Sequence, residues 1–215
     1  MKIHASFLKI QNEKNNVIKL NEVSDGMHYD VMDGIFVENK TIDFSQMQEL
    51  DKLITKPKDI HLMVKDIYNY VDMYKELNPD YITFHYEATN DINKTIDYIK
   101  SFKIKVGLAI NPNTAVRSIL EYLNKIDLVL VMSVFPGKGG QEFIDISEKI
   151  NQLNIIRNIN KLNYKIEVDG GINDQTINKI KGADIAVIGS FITNSDNYKN
   201  QIEKIRGELW KRVLH

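Results

Sequence analysis

Cysteine is absent from this 215-residue chain. That excludes disulfides and thiolate ligands, so a metal site here must use nitrogen and oxygen donors. An excess of one charge is also missing. The formal net charge is -1, with Lys and Glu scattered rather than blocked, which leaves no electrostatic footprint for nucleic acid or an acidic membrane. No apolar run is long enough to span a bilayer, and Met1-Lys2-Ile3-His4-Ala5-Ser6 lacks a signal-peptide apolar core. The default reading is a soluble cytoplasmic protein. There is no linker, composition break or low-complexity stretch, and residues 1–215 read as a single domain.

What is present is alternation. Strand candidates run over Ile3–Leu8, Met27–Met32, Asp59–Val64, Tyr81–His85, Lys105–Ile110, Leu128–Met132, Lys165–Val168 and Asp184–Ile188. Helical spacing of apolar residues fills the gaps. Val17–Val23 is a weak case, followed by Phe44–Ile54 and by the stripe Ile67, Tyr70, Val71 and Tyr74. Further stripes are Ile92, Ile96 and Ile99, then Val116, Ile119, Leu120 and Leu123 with Asn113 or Thr114 as cap. The last are Ile146 to Ile156, Ile177 with Ile180, and Ile202, Ile205, Leu209 and Val213. Trp210 in that final helix fits an interface or the helix–sheet core. About eight β-α units predict an α/β fold, a parallel sheet closed into a (β/α)8 TIM barrel of the phosphate-binding type. The open doubly wound alternative lacks its glycine fingerprint, because the first strand leads into Ser6-Phe7-Leu8-Lys9.

His28-Tyr29-Asp30-Val31-Met32-Asp33-Gly34 is the most unusual stretch. Strand periodicity puts His28, Asp30 and Met32 on one face. A buried imidazole and carboxylate have to be paired with each other, protonated or bound to something. His61 and Asp169, near the ends of two other strands, add a second polar pair. In a parallel barrel the strand C-termini meet at one end, so His28, Asp30, His61 and Asp169 can converge. Two His and two carboxylates without thiols suit one divalent ion, Zn²⁺ or Fe²⁺ first, Mn²⁺ or Co²⁺ next. Gly170-Gly171 and Gly189-Ser190 close the seventh and eighth strands, where barrels commonly bind phosphate through backbone N–H groups. Pro136-Gly137-Lys138-Gly139-Gly140-Gln141 has the makings of a lid and does not match the nucleotide-binding loop. Met32, Met63 and Met132 end strands on the site side, as core filler or as a water-excluding hydrophobic shield. His85 and Glu87 read as structural or supporting partners rather than ligands.

These residues resemble the ribulose-phosphate 3-epimerase family along nearly the whole chain. The anchors are Ser6-Phe7-Leu8, the His28–Gly34 stretch with Phe36-Val37, His61-Leu62-Met63-Val64, and His85-Tyr86-Glu87-Ala88. Gly107, Asn111-Pro112, Pro136 to Gln141, Val168-Asp169-Gly170-Gly171-Ile172 and Gly189-Ser190 complete the match. The resemblance implies a (β/α)8 isomerase of carbohydrate metabolism, in the pentose phosphate pathway, with a divalent metal. It implies His28, Asp30, His61 and Asp169 as ligands, Asp30 as proton acceptor and Asp169 as proton donor. It implies Ser6, His61, Gly137, Gly139, Gly140, Gly170, Gly171, Gly189 and Ser190 as contacts to a ketose phosphate. Several positions depart from the family pattern: Ala5 for a Pro, Ile35 and Glu38 for a His and a Pro, Phe135 for an Asn, and Lys138 for a Phe. Lys138 is expected to add a cation near the sugar phosphate. A homo-oligomer is the expected assembly.

The expected reaction is epimerisation of D-ribulose 5-phosphate and D-xylulose 5-phosphate at C3 through an enediolate. The nearest alternative keeps the mechanism and takes a six-carbon sugar such as D-allulose 6-phosphate. A metal-free phosphate-binding decarboxylase or amino-sugar isomerase, and a binding-only relative, are the other classes weighed.

Overall fold

Eight short runs of apolar residues pair side by side and close on themselves. In a computed structural model of the chain, the strands are β1 (Lys2–Ser6), β2 (Gly26–Met32), β3 (Lys58–Met63), β4 (Tyr81–His85), β5 (Lys105–Ile110), β6 (Leu128–Met132), β7 (Lys165–Asp169) and β8 (Ile185–Ile188). All neighbours are parallel, and β8 returns to pair with β1 in a closed barrel. The structure describes residues 1–210, and the side chain of Trp210 and position Val213 lie outside the described residues.

Helices cover the barrel: α1 (Lys14–Val23), α2 (Phe44–Asp51), α3 (Ile67–Tyr74), α4 (Ile92–Ser101), α5 (Ser147–Ile159), α6 (Ser190–Thr193) and α7 (Tyr198–Trp210). Aspartates start three of them. Asp43 and Gln46 form a reciprocal capping box on α2, Asp66 accepts from the Asn69 amide at 3.3 Å, and Asp91 accepts from the Lys94 amide at 3.0 Å. Each satisfies an amide that the first helical turn leaves without a partner. The helix-facing side chains of the strands, such as Tyr29, Val31, Ile60, Leu62 and Phe84, are fully buried against these helices.

Three expectations are corrected. β1 stops at Ser6 rather than Leu8, because Phe7 turns into the core and Leu8–Ile10 winds into a 3₁₀ turn. α2 ends at Asp51 rather than Ile54, and Leu53 and Ile54 close it with turn hydrogen bonds to Leu50 and Asp51. Val116–Tyr122 is a 3₁₀ helix with Ala115 at its cap position, and neither Asn113 nor Thr114 caps it. The Thr114 hydroxyl is instead donated to Glu87.

Strand periodicity divides the barrel interior into unequal halves. Ala109, Leu128, Leu130, Met132, Val134 and Ile185 form a separate apolar cluster inside β5, β6 and β8. The opposite wall carries polar groups: His4 and Ser6 on β1, His28 and Asp30 on β2, Asp59 and His61 on β3, Thr83 and His85 on β4, and Glu167 on β7, each under 9% exposed. Buried polar groups at this density need partners, and they find them in one another.

Candidate active site

At the C-terminal ends of β2, β3 and β7 the chain brings His28, Asp30, His61 and Asp169 together. One ligand-type atom from each lies within 4.8 Å of the other three. His28 Nε2 is 3.3 Å from His61 Nδ1 and 3.6 Å from Asp30 Oδ1. His61 Nδ1 is 3.7 Å from Asp30 Oδ1 and 3.9 Å from Asp169 Oδ2. The strand register produces this: Asp30 stands opposite His61, and Met132 opposite Asp169.

The outward nitrogens of both imidazoles are occupied. His28 Nδ1 faces Asp59 Oδ2 at 3.0 Å, and His61 Nε2 faces His85 Nε2 at 2.8 Å. His85 Nδ1 continues to Glu87 at 3.3 Å, and Glu87 also accepts the Asn111 amide at 2.9 Å. Each ring thus turns one nitrogen to a supporting partner and the other to the shared centre. That is the arrangement of a histidine metal ligand held by an outer partner. Two imidazole nitrogens and two carboxylates form a hard-to-borderline N/O donor set, so the residues fit a divalent ion.

The electrostatics favour positive charge at this centre. Burial alone lowers the pKa of His28, but contact with Asp59 and the charges of Asp30 and Asp169 outweigh it, raising it to about 9. Burial raises Asp30, yet the adjoining His61 ring, the His28 charge and the Ser6 hydroxyl bring it below the ordinary value. Ser6 Oγ donates to Asp30 Oδ2 at 2.5 Å. Asp169 moves the other way, to about 7, through burial and the neighbouring Asp30 charge. Glu87 falls to about 2, because hydrogen bonds from His85, Thr114 and Asn111 outweigh its burial.

A cleft of about 660 Å³, counting its open mouth, lies over this centre. It is lined by Ser6, Asp30, Asp169, all three methionines, the glycine loop from β6, and the β7 and β8 loops. Met32 and Met63 are 3% exposed and Met132 is 1% exposed. Gly137, Lys138, Gly139, Gly140, Gly170, Gly171, Gly189 and Ser190 all reach the cleft. His28 and His61 lie below it and are fully buried. Gly170 has a packing reason for its identity: φ is +119°, and a Cβ there would fall 2.5 Å from Val134 Cγ2. The glycine loop is tied down by Asn39 Nδ2, which donates to the Gly137 carbonyl at 2.6 Å.

Two groups of residues escaped the sequence reading. Lys9, in the 3₁₀ turn after β1, lines the cleft beside Gly139 and Gly140. His4, Asp59, Thr83 and Glu167 form a buried polar layer beneath the site. Each stands two residues before a polar residue already singled out, namely Ser6, His61, His85 and Asp169. The same period-two argument reaches them.

The model of the ribulose-phosphate 3 epimerase family matches residues 2–193. Ribulose-phosphate 3-epimerase of Buchnera aphidicola subsp. Baizongia pistaciae is 40% identical, over 96% of this chain and 92% of that one. The protein of the same name from Escherichia coli (strain K12) is 38% identical, over 87% and 85%. Among solved structures, 3-hexulose-6-phosphate synthase from Salmonella typhimurium superposes with a TM-score of 0.72 at 18% identity, covering 98% of this chain and 99% of that one. KGPDC from Streptococcus mutans gives 0.72 at 11% identity, over 98% and 97%. Those two likenesses show the barrel alone. Sequence kinship across the whole barrel, with the His and Asp residues gathered as described, places this chain in the ribulose-phosphate 3-epimerase family of isomerases.

Proposed function

We propose that this protein interconverts D-ribulose 5-phosphate and D-xylulose 5-phosphate by moving a proton at C3, with one divalent ion held by His28, Asp30, His61 and Asp169. The observation that carries the proposal is the placement of Asp30 and Asp169. They approach one centre from β2 and β7, with proton affinities displaced in opposite directions. Epimerisation needs a base on one face of C3 and an acid on the other. Paired carboxyl groups whose surroundings push their affinities apart suit those two roles.

In this reading Asp30, kept ionised by His61, His28 and Ser6, takes the proton from C3. Asp169, readily protonated, returns one to the opposite face, and the reverse reaction exchanges the roles. A divalent ion supplies positive charge for the neighbouring oxygens on which negative charge develops. Met32, Met63 and Met132 keep water from the flattened intermediate. Backbone amides of Gly170, Gly171, Gly189 and Ser190, with Ser6 and the Gly137–Gly140 loop, fix the phosphate and the sugar so that C3 lies between the carboxylates. Lys9 and Lys138 add positive charge at the rim. The protein is proposed to act as a homo-oligomer, which light scattering tests. The activity is tested by incubating metal-reconstituted protein with ribulose 5-phosphate and assaying xylulose 5-phosphate. No product above the uncatalysed rate would sink the assignment.

A further inference from the structure

Asp59 sits one layer below the candidate site, with no exposed surface. Its Oδ2 lies 3.0 Å from His28 Nδ1, and its carboxylate also meets Glu167. Its Oδ1 accepts from Thr83 Oγ1 at 2.9 Å. Thr83 fits there because the facing residue on β5 is Gly107, where a Cβ would fall 2.1 Å from Thr83 Oγ1. The carboxylate is therefore gripped on one oxygen by β4 while the other meets the His28 ring. Glu167 and His4 continue the layer, with His4 Nδ1 3.1 Å from Glu167 Oε1.

We propose that Asp59 is a positioning residue that sets the ring orientation and tautomer of His28, with Thr83 and Gly107 fixing Asp59 in turn. A neutral imidazole has one N–H donor and one lone-pair nitrogen, and an ionised carboxylate only accepts. With Nδ1 facing Asp59, the hydrogen belongs on Nδ1. Nε2 then presents its lone pair toward Asp30, His61 and Asp169. Rotation of the ring breaks the contact between His28 Nδ1 and Asp59 inside a fully buried layer, so one orientation is held. This assignment rests on the reading of the four-residue group as a metal centre. It also explains why a Gly at position 107 and a Thr at position 83 occur together inside the barrel.

The test is metal affinity rather than turnover. Asp59→Asn is expected to weaken Zn²⁺ or Co²⁺ binding by about 10- to 100-fold in chelator competition. The visible spectrum of the Co²⁺-loaded protein is expected to change with it. Thr83→Val is expected to shift affinity and spectrum in the same direction by less, with Thr83→Ser restoring both. Glu167→Gln, which meets Asp59 and His4 but not His28, is expected to lower affinity by less than Asp59→Asn does. Circular dichroism and thermal unfolding of the metal-free variants check folding, and the Thr83 pair decides the matter if Asp59→Asn does not fold.

Wild-type affinity and spectrum in folded Asp59→Asn would overturn the assignment. So would a loss in Glu167→Gln equal to that in Asp59→Asn, since the layer then acts through packing alone. A second bound ion per chain that Asp59→Asn removes would also overturn it. Asp59 would then be a ligand itself, with His4 and Glu167, whose ligand-type atoms lie within 4.8 Å of one another and of its own. Wild-type protein that binds one ion but epimerises no ketose phosphate sinks the proposed function and leaves this assignment standing.

Discussion

Asp30 and Asp169 reach toward the same nitrogen from different walls of the barrel: His61 Nδ1 lies 3.7 Å from one and 3.9 Å from the other. A single imidazole thus stands between the two carboxylates proposed to serve opposite faces of the substrate. Removing that ring should damage both halves of the reaction. His61→Ala is expected to lower kcat by about 10²-fold or more, a loss in the range of misplaced acid–base groups. Steady-state kinetics with saturating metal would check it, and a change confined to KM would contradict it.

Metal removal should act on stability as well as on turnover. Dialysis against a chelator is expected to abolish activity and lower Tm, and added Zn²⁺ or Fe²⁺ should restore both, because an ion that binds only the folded state stabilises it. Full activity in protein with metal content near zero would contradict the metal-dependent reading.

The rim cation is a smaller effect. Lys138 is exposed on the glycine loop and lines the cleft. Lys138→Ala is expected to raise KM for the ketose phosphate by up to about tenfold, equivalent to about 1.4 kcal/mol, with kcat little changed. Unchanged kinetics would remove Lys138 from the substrate site.

His4 makes the fold acid-sensitive. Burial lowers its pKa from 6.5 to about 4, with the Asp59 charge opposing. Glu167, Asp59 and His28 are its titratable neighbours inside the barrel, and Lys2 and Asp25 act from outside. The unfolded chain binds the proton first, so this contribution is fully present above about pH 6.5 and is lost as pH falls through about 4. It amounts to about 3 kcal/mol. Denaturant unfolding between pH 7 and pH 4 should show a shallower loss for His4→Gln than for wild type, and identical slopes would contradict the account.

Gly170 is held by geometry. With φ at +119° and a Cβ that would meet Val134 at 2.5 Å, Gly170→Ala is expected to cost about 1–3 kcal/mol by urea unfolding and to raise KM through a displaced β7 loop.

Much of this was legible in the sequence, for identifiable reasons. β4, β5 and β6 fall on the expected residues because their apolar runs have sharp boundaries. The His28–Asp30–Met32 face followed from strand alternation, and the barrel from the count of units. β1 was overextended because Phe7 and Leu8 prolong an apolar run after the chain has turned. The expected Asn113 or Thr114 cap failed because a hydroxyl that caps a helix in one context serves Glu87 in this one. The buried layer of His4, Asp59, Thr83 and Glu167 went unread although its spacing was visible. Its side chains make sense only once barrel closure sets β1 and β7 across from β3, and no local pattern states that.

The most direct test of the central claim is proton NMR of ribulose 5-phosphate in D₂O with metal-reconstituted protein, beside Asp30→Asn and Asp169→Asn. The account predicts that wild type replaces the C3 hydrogen with deuterium as xylulose 5-phosphate appears. It predicts that both variants lose at least about 10²-fold in rate. Retention of the C3 hydrogen with wild type, or full exchange in either variant, would contradict it.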